Sequence, residues 1–348
     1  MQQIEITLDG ESLVTPETIA TAVFSSKIND GRNSDLKTAE AELAIFLNIA
    51  QQKVQKKAPV EEVLALVISN LHKIRSKYTP EIWRSLIPLA QNHPVSNFFH
   101  EDPFTHWSFV KPRGYSGDAH LLDFIYGHES VAEEVAGASE LGRMLYSHTR
   151  ESGAPVAVRE RRDIVARHVD EIASSRGPDA EIMTVAAGHL REGARSVALK
   201  EGRIKRWVAL DQDPLSIGSI RQDFEGTCVE AVDGSVRSLL TNSHQLGTFD
   251  FIYASGLYDY LNDKVAVKLT KKCLSMLKPN GVFMFANFSD DFDTDGYMET
   301  FMNWALLLRS EQDMWRVIHA STPEGDIDAQ VRFGANRNIV YGFIRKIG

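Results

Sequence analysis

The stretch EIMTVAAGHLREGARSV, Glu181 to Val197, followed by RWVALDQDP, joins residue types that suit nucleotide chemistry. An apolar run (Ile182, Met183, Val185) ends in the small residues Ala186, Ala187 and Gly188, where backbone can approach a ligand closely. A helix-forming run follows, and then a second apolar run, Trp207 to Leu210, ends on Asp211. A carboxylate at a strand tip can accept hydrogen bonds from both hydroxyls of a ribose. Asp211 lies 23 positions after Gly188, close to the roughly 20 that separates these features in the opening βαβ unit of a nucleotide-binding sheet. Gly188 and Asp211 are therefore the primary candidates.

Composition sets the frame. A chain of 348 residues with 43% hydrophobic and 24% charged residues is an ordinary globular protein of two domains, or one domain with an extension. The net charge of −9 argues against a nucleic-acid backbone or an anionic membrane as partner. RERRDIVAR, Arg159 to Arg167, holds four arginines and reads as a solvated helix face paired with acids. Cys228 and Cys273 lack metal-type spacing and fit buried thiols in a reducing compartment. With no leader and no apolar run of 18 residues, a cytoplasmic location is expected. No metal site is expected.

The elements that must position these residues fall into two blocks. Residues 1–150 read as a mostly helical cap and residues 151–348 as the sheet domain. IEITLDGESLV (4–14) alternates around Asp9-Gly10 like a hairpin. Helical periods cover 37–55, the run after Pro59 and the run after Thr79-Pro80, in which Pro88 is a point of kinking and which breaks near His93-Pro94. Residues 100–128 are too aromatic for a plain loop, holding Phe104, Trp107, Phe109, Tyr115, Phe124 and Tyr126. Helices are expected over about 130–150 and 155–175, ending at the breaker cluster Ser174 to Pro178. Strands are expected at 181–186, 206–210, 228–232, 249–254, 281–288, 314–319 and 338–345, giving a doubly wound parallel sheet closed by a C-terminal hairpin.

This order of elements resembles class I S-adenosylmethionine (SAM)-dependent methyltransferases over about residues 155–348. The resemblance rests on the turn at Gly188, the acid Asp211, VEAVDGSVRSL with Asp233, and FDFIYASGLYDYL followed by LKPNGVFMFANF. It implies a Rossmann-like seven-stranded sheet whose last strand is antiparallel, with SAM as cosubstrate. It implies Asp233 at the adenine amine, with Gly234 and Ser235 beside the ring. Gln212 next to Asp211, His189 after Gly188, and Ser255 and Gly256 at the end of the fourth strand complete the implied cofactor-binding set. The family's first motif is an acid followed by three glycines at alternate positions. Here those positions are Thr184, Ala186, Gly188 and Leu190. Leu190 is expected to take ordinary helical dihedrals, and Glu192 or a residue of the cap to replace the lost acid.

KPRGYSGD, AAGHLRE and ASGLYDYL resemble one subgroup, with an N-terminal helical domain, linked to bacterial signal and natural-product biosynthesis. Some relatives of this type instead cyclise SAM to azetidine-2-carboxylic acid and methylthioadenosine. Methyl transfer is an in-line displacement on an activated sulfonium, so an enzyme chiefly aligns the reactants. Aromatic faces can hold the sulfonium cation, which makes Tyr115 and Tyr126 candidates. Tyr258 and Asn287, after the fourth and fifth strands, are candidates for meeting the substrate. The expectation is a SAM-dependent methyltransferase acting on a small molecule. SAM cyclisation and an inactive SAM-binding protein are the rivals, and the oligomeric state stays open. A nicotinamide dehydrogenase fits the βαβ unit alone, but AAGHLRE departs from its three-glycine fingerprint.

Overall fold

The computed structural model describes residues 32–322 and 327–347. The hairpin expected at 4–14 lies outside the described residues. Two compact units emerge. Of the described residues, one holds 32–156 together with Phe292–Leu306, and the other holds Ala157–Asp291, 307–322 and 327–347.

The first unit is helical. Its long helices are Arg32–Gln55, Val60–Lys77 and Pro80–Gln91. Val60–Lys77 follows Pro59, carries Glu61 and Glu62 in its first turn and Arg75 and Lys77 in its last, and buries Val63, Leu64, Val67, Leu71 and Ile74. That is an apolar stripe at helical spacing with charges that complement the helix dipole. Pro88 sits inside Pro80–Gln91 without ending it.

The aromatic stretch 100–128 is mostly helical. Pro103–Val110 is capped by Asp102 and Ala119–Tyr126 by Asp118, whose carboxylates accept the first free backbone N–H groups. Between them runs a turn with Lys111, Gly114 and Gly117 at positive φ. Shorter helices, Ala132–Gly137 and Glu140–Thr149, follow.

The unit is completed from far away in sequence. Helix Asp295–Phe301 is buried at every position. Phe99 packs on Tyr297 and Phe301 at ring separations of 5.6 and 4.6 Å. Arg75 pairs with Asp295 at 2.7 Å and Glu299 at 2.8 Å, and the Trp83 indole N–H donates to Glu299.

The second unit is a seven-stranded sheet. Its strands are β1 (Glu181–Val185), β2 (Arg206–Asp211), β3 (Val229–Asp233), β4 (Phe249–Ala254), β5 (Leu277–Phe288), β6 (Ile327–Phe333) and β7 (Ile339–Lys346). The order is β3-β2-β1-β4-β5-β7-β6. β1 to β5 are parallel, and β7 is antiparallel to both β5 and β6. β4 is buried throughout, as a near-continuous apolar run in a two-sided sheet should be. The Lys278 to Gly281 turn is a bulge inside β5, where the register with β4 shifts. A Cβ at Gly281 would stand 2.9 to 3.3 Å from three carbonyl oxygens, so only glycine fits.

Two elements correct the expectation. Residues 314–319 lie within helix Glu311–Ser321, started by a Ser310–Asp313 capping box and burying Met314, Val317, Ile318 and Ser321 at helical spacing. The sixth strand is Ile327–Phe333 instead. The run after Gly188 yields only a 3₁₀ turn, Gly193–Arg195, and a four-residue helix, Val197–Lys200. Cys273 is fully buried, which pushes its thiol up to about 12, whereas Cys228 is only half-buried; both are free.

Candidate functional site

In a doubly wound sheet, ligands bind outside the carboxyl ends of the strands where the order reverses, here between β1 and β4. The sheet unit gathers most of the candidates at the carboxyl ends of β1 to β4.

After β1, Ala186, Gly188 and Leu190 all take left-handed dihedrals, with φ of 58°, 55° and 50°. These are the three alternate positions that the resemblance assigns to glycines. The turn is thus left-handed at all three positions although two of the three residues carry side chains. This corrects the expectation for Leu190: its side chain is fully buried, and packing holds the strained backbone. A left-handed non-glycine residue costs roughly 1–2 kcal/mol.

The turn closes on Asp211. The Gly188 N–H donates to Asp211 Oδ2 and the Asp213 N–H to Oδ1, both at 2.8 Å. Each oxygen keeps a free lone pair for a ligand hydroxyl. Burial pushes the Asp211 carboxyl up to about 6, against these two hydrogen bonds. In the parallel register Asp211 stands directly opposite Asp233, which is exposed at the end of β3. Gln212 is half-buried beside them.

The remaining candidates separate by environment. His189 is buried, and its Nδ1 accepts from Arg191, which pairs with Asp223. Gly234 lies close under the side-chain ends of Leu210, His244 and Ser238, which a larger residue would displace. Ser235 forms a capping box with Ser238. Ser255 and Gly256 are half-buried at the end of β4. Tyr115, in the turn between Gly114 and Gly117, and Tyr126, closing helix Ala119–Tyr126, are half-buried in the helical unit.

Tyr258 and Asn287 correct the expectation. Tyr258 is fully buried, stacked on Phe285, with its hydroxyl bonded to Thr270 at 2.8 Å. Asn287 is fully buried too; its amide donates to the Phe288 and Leu307 carbonyls, and its oxygen accepts from Arg309. Arg309 also binds the Tyr258 and Leu261 carbonyls and Asp263. These buried side chains brace the loops after β4 and β5.

A buried ionisable group went unread in the sequence. Arg161, in helix Gly153–Arg176, is 4% exposed, not on a solvated face. Its signal was its place on the apolar stripe with Val158 and Val165, three and four positions away. Near it lie Glu192, whose Oε1 accepts from the Tyr253 hydroxyl at 2.6 Å, and Asp259, whose Oδ1 accepts from the Phe288 N–H. Burial raises both carboxyls, Asp259 to about 7, while the Arg161 charge pulls each back.

Among the described residues no group of three or more His, Cys, Asp or Glu side chains can hold a metal ion, and no helix is long and apolar enough to cross a membrane.

No family model matches the chain, and no curated protein matches it. Solved structures do. A possible exported protein from Bordetella parapertussis aligns over 89% of this chain and 97% of its own, at 15% identity and a TM-score of 0.52. The N-methyltransferase NodS from Bradyrhizobium japonicum covers 55% of this chain and 97% of its own, at 15% identity and a TM-score of 0.39. The plantazolicin methyltransferase BpumL covers 70% and 98%, at 8% identity and a TM-score of 0.44. The likeness to the Bordetella protein is one of fold. With five parallel strands, the order β3-β2-β1-β4-β5-β7-β6 and an antiparallel β7, the sheet unit has a Rossmann-like fold.

Proposed function

We propose that this protein is a SAM-dependent enzyme that methylates a small-molecule acceptor. The observation that carries the proposal is the turn at Ala186, Gly188 and Leu190. Strained backbone persists where the surrounding structure enforces it, and it concentrates at ligand sites. Here the strain is kept without the glycines that would relieve it, and the turn is tied to Asp211. That speaks for a working site rather than a decayed one.

The residues present fit the cosubstrate. Asp211 retains acceptor capacity for two ribose hydroxyls, and exposed Asp233 lies beside it for the adenine amine. Bound SAM supplies a methyl group activated by its sulfonium. The chain's own task is then to align the acceptor and exclude water, an effect worth ~7–11 kcal/mol in well-oriented systems.

Asp211→Ala is expected to weaken S-adenosylhomocysteine (SAH) binding about 5- to 150-fold, since each unpaired donor costs ~1–3 kcal/mol. It should also lower the melting temperature, because the Gly188 and Asp213 N–H groups lose their acceptor. Calorimetric titration of the folded variant checks this, and unchanged affinity would remove Asp211 from the cofactor site.

One observation favours a second reading. The position of the family's motif acid is Thr184, which is buried, so the carboxyl end of β1 offers no carboxylate to hold an α-ammonium group. An unprotonated amine is the nucleophile needed for cyclisation to azetidine-2-carboxylic acid. Mass spectrometry of the protein with SAM alone separates the two. Methylation predicts no acceptor-free turnover above background, and catalytic release of methylthioadenosine with the cyclic amino acid would replace it by cyclisation.

A further inference from the structure

Arg161 and Tyr341 are buried polar side chains that the fold leaves unsatisfied. Arg161 is 4% exposed, and its Nη1 has no hydrogen-bond partner among the described residues; the same is true of the Tyr341 hydroxyl on β7. The two interact electrostatically. The guanidinium faces bare backbone at the end of β4: a Cβ on Gly256 would stand 3.4 Å from Nη2. Its anionic neighbours make no hydrogen bond to Nη1, and each has one oxygen bonded elsewhere, Glu192 Oε1 by the Tyr253 hydroxyl and Asp259 Oδ1 by the Phe288 N–H. Buried donors without acceptors are rare in folded proteins and call for a partner. A planar guanidinium fork with an unpaired N–H matches a carboxylate, whose oxygens accept from it and whose charge balances the arginine, and the unpartnered Tyr341 hydroxyl is a second donor within electrostatic range.

We propose that Arg161, with the Tyr341 hydroxyl, is a carboxylate-binding residue of the ligand site where the strand order reverses. The assignment rests on the cofactor reading above, and the first source of the carboxylate is the amino-acid end of SAM. A carboxylic acid acceptor is the other source with the same chemistry. Arg161 is thus a binding residue that fixes ligand orientation, and it takes no part in bond making.

The test is calorimetric titration of wild type, Arg161→Gln and Arg161→Lys with three probes. These are SAH, methylthioadenosine, which lacks the amino-acid end, and octanoate added to SAH-loaded protein. Arg161→Gln is expected to bind SAH about 10- to 150-fold more weakly, the range for a lost charge-assisted hydrogen bond, while methylthioadenosine binding is unchanged. If Arg161→Gln does not fold, Arg161→Lys keeps the charge but not the fork and should show the same selective loss to a smaller degree. Intact SAH binding with selective loss of octanoate binding also supports the proposal and assigns the carboxylate to the acceptor. Equal losses for SAH and methylthioadenosine, or affinities for SAH and octanoate that are both unchanged, overturn it. Wild type that binds neither nucleoside overturns the cofactor reading and this assignment together. Wild-type SAH affinity that both variants retain, with octanoate unaffected, overturns this assignment alone.

Discussion

Arg75→Met is expected to destabilise the protein by about 3–5 kcal/mol, the cost of removing one partner from a buried ion pair. Arg75 is the shared cation for Asp295 and Glu299, both buried. Without it two carboxylates remain inside the helical unit, with His72 and the Gly296 N–H on Asp295 and the Trp83 indole on Glu299 as their remaining partners among the described residues. Urea denaturation followed by tryptophan fluorescence measures the loss. A change under about 1 kcal/mol, the scale of an exposed pair, would show that water reaches the cluster. The double variant Arg75→Met/Glu299→Gln should recover part of the loss, because it removes one stranded charge.

The second large effect depends on pH. Burial holds the Asp259 carboxyl up to about 7, against the pull of Arg161, Arg309 and the Phe288 N–H. In the unfolded chain an aspartate titrates near 3.9. Below that value both states are protonated and burial costs nothing through ionisation. Between the two values the unfolded chain releases its proton and the folded chain does not, so stability falls as pH rises, until the folded pKa is passed. Asparagine at 259 is neutral throughout and its oxygen can still accept from Phe288. Asp259→Asn should therefore gain stability relative to wild type by about 3 kcal/mol between pH 5 and pH 8, at roughly 1.4 kcal/mol per unit. Urea denaturation of both proteins at the two pH values gives the difference, in which groups common to both cancel. A pH-independent difference would mean that Asp259 is ionised throughout and already matches the Arg161 charge.

The sheet was readable because its strands are apolar runs closed by small or acidic residues, as at Gly188, Asp211 and Asp233. The helix Glu311–Ser321 was not, because six residues such as MWRVIH carry no period that separates strand from helix. Its capping box, Ser310 with Asp313, was the better signal. The left-handed Ala186 and Leu190 were illegible, since residue identity argues against them and only tertiary packing enforces them. Tyr258 and Asn287 were placed near the correct strand ends, but which way a side chain turns there is settled by partners such as Thr270 and Arg309, distant in sequence. The same holds for Arg161, whose charge outweighed its position on the helix stripe.

The Asp295–Phe301 helix also bears on how the chain must be made. The N-terminal helices leave the ribosome first, but Tyr297, Phe301 and the carboxylates that meet Arg75 are encoded far downstream. At about 5–20 residues per second, the ~145 residues between Val156 and Phe301 take roughly 7–30 s to synthesise. For that interval Phe99, Leu71 and Trp83 lack the surface they pack against in the finished protein. The helical unit therefore cannot complete its core until all five parallel strands have been translated. The nascent chain carries an open apolar face through more than a third of its synthesis, the period in which holding chaperones have most to bind.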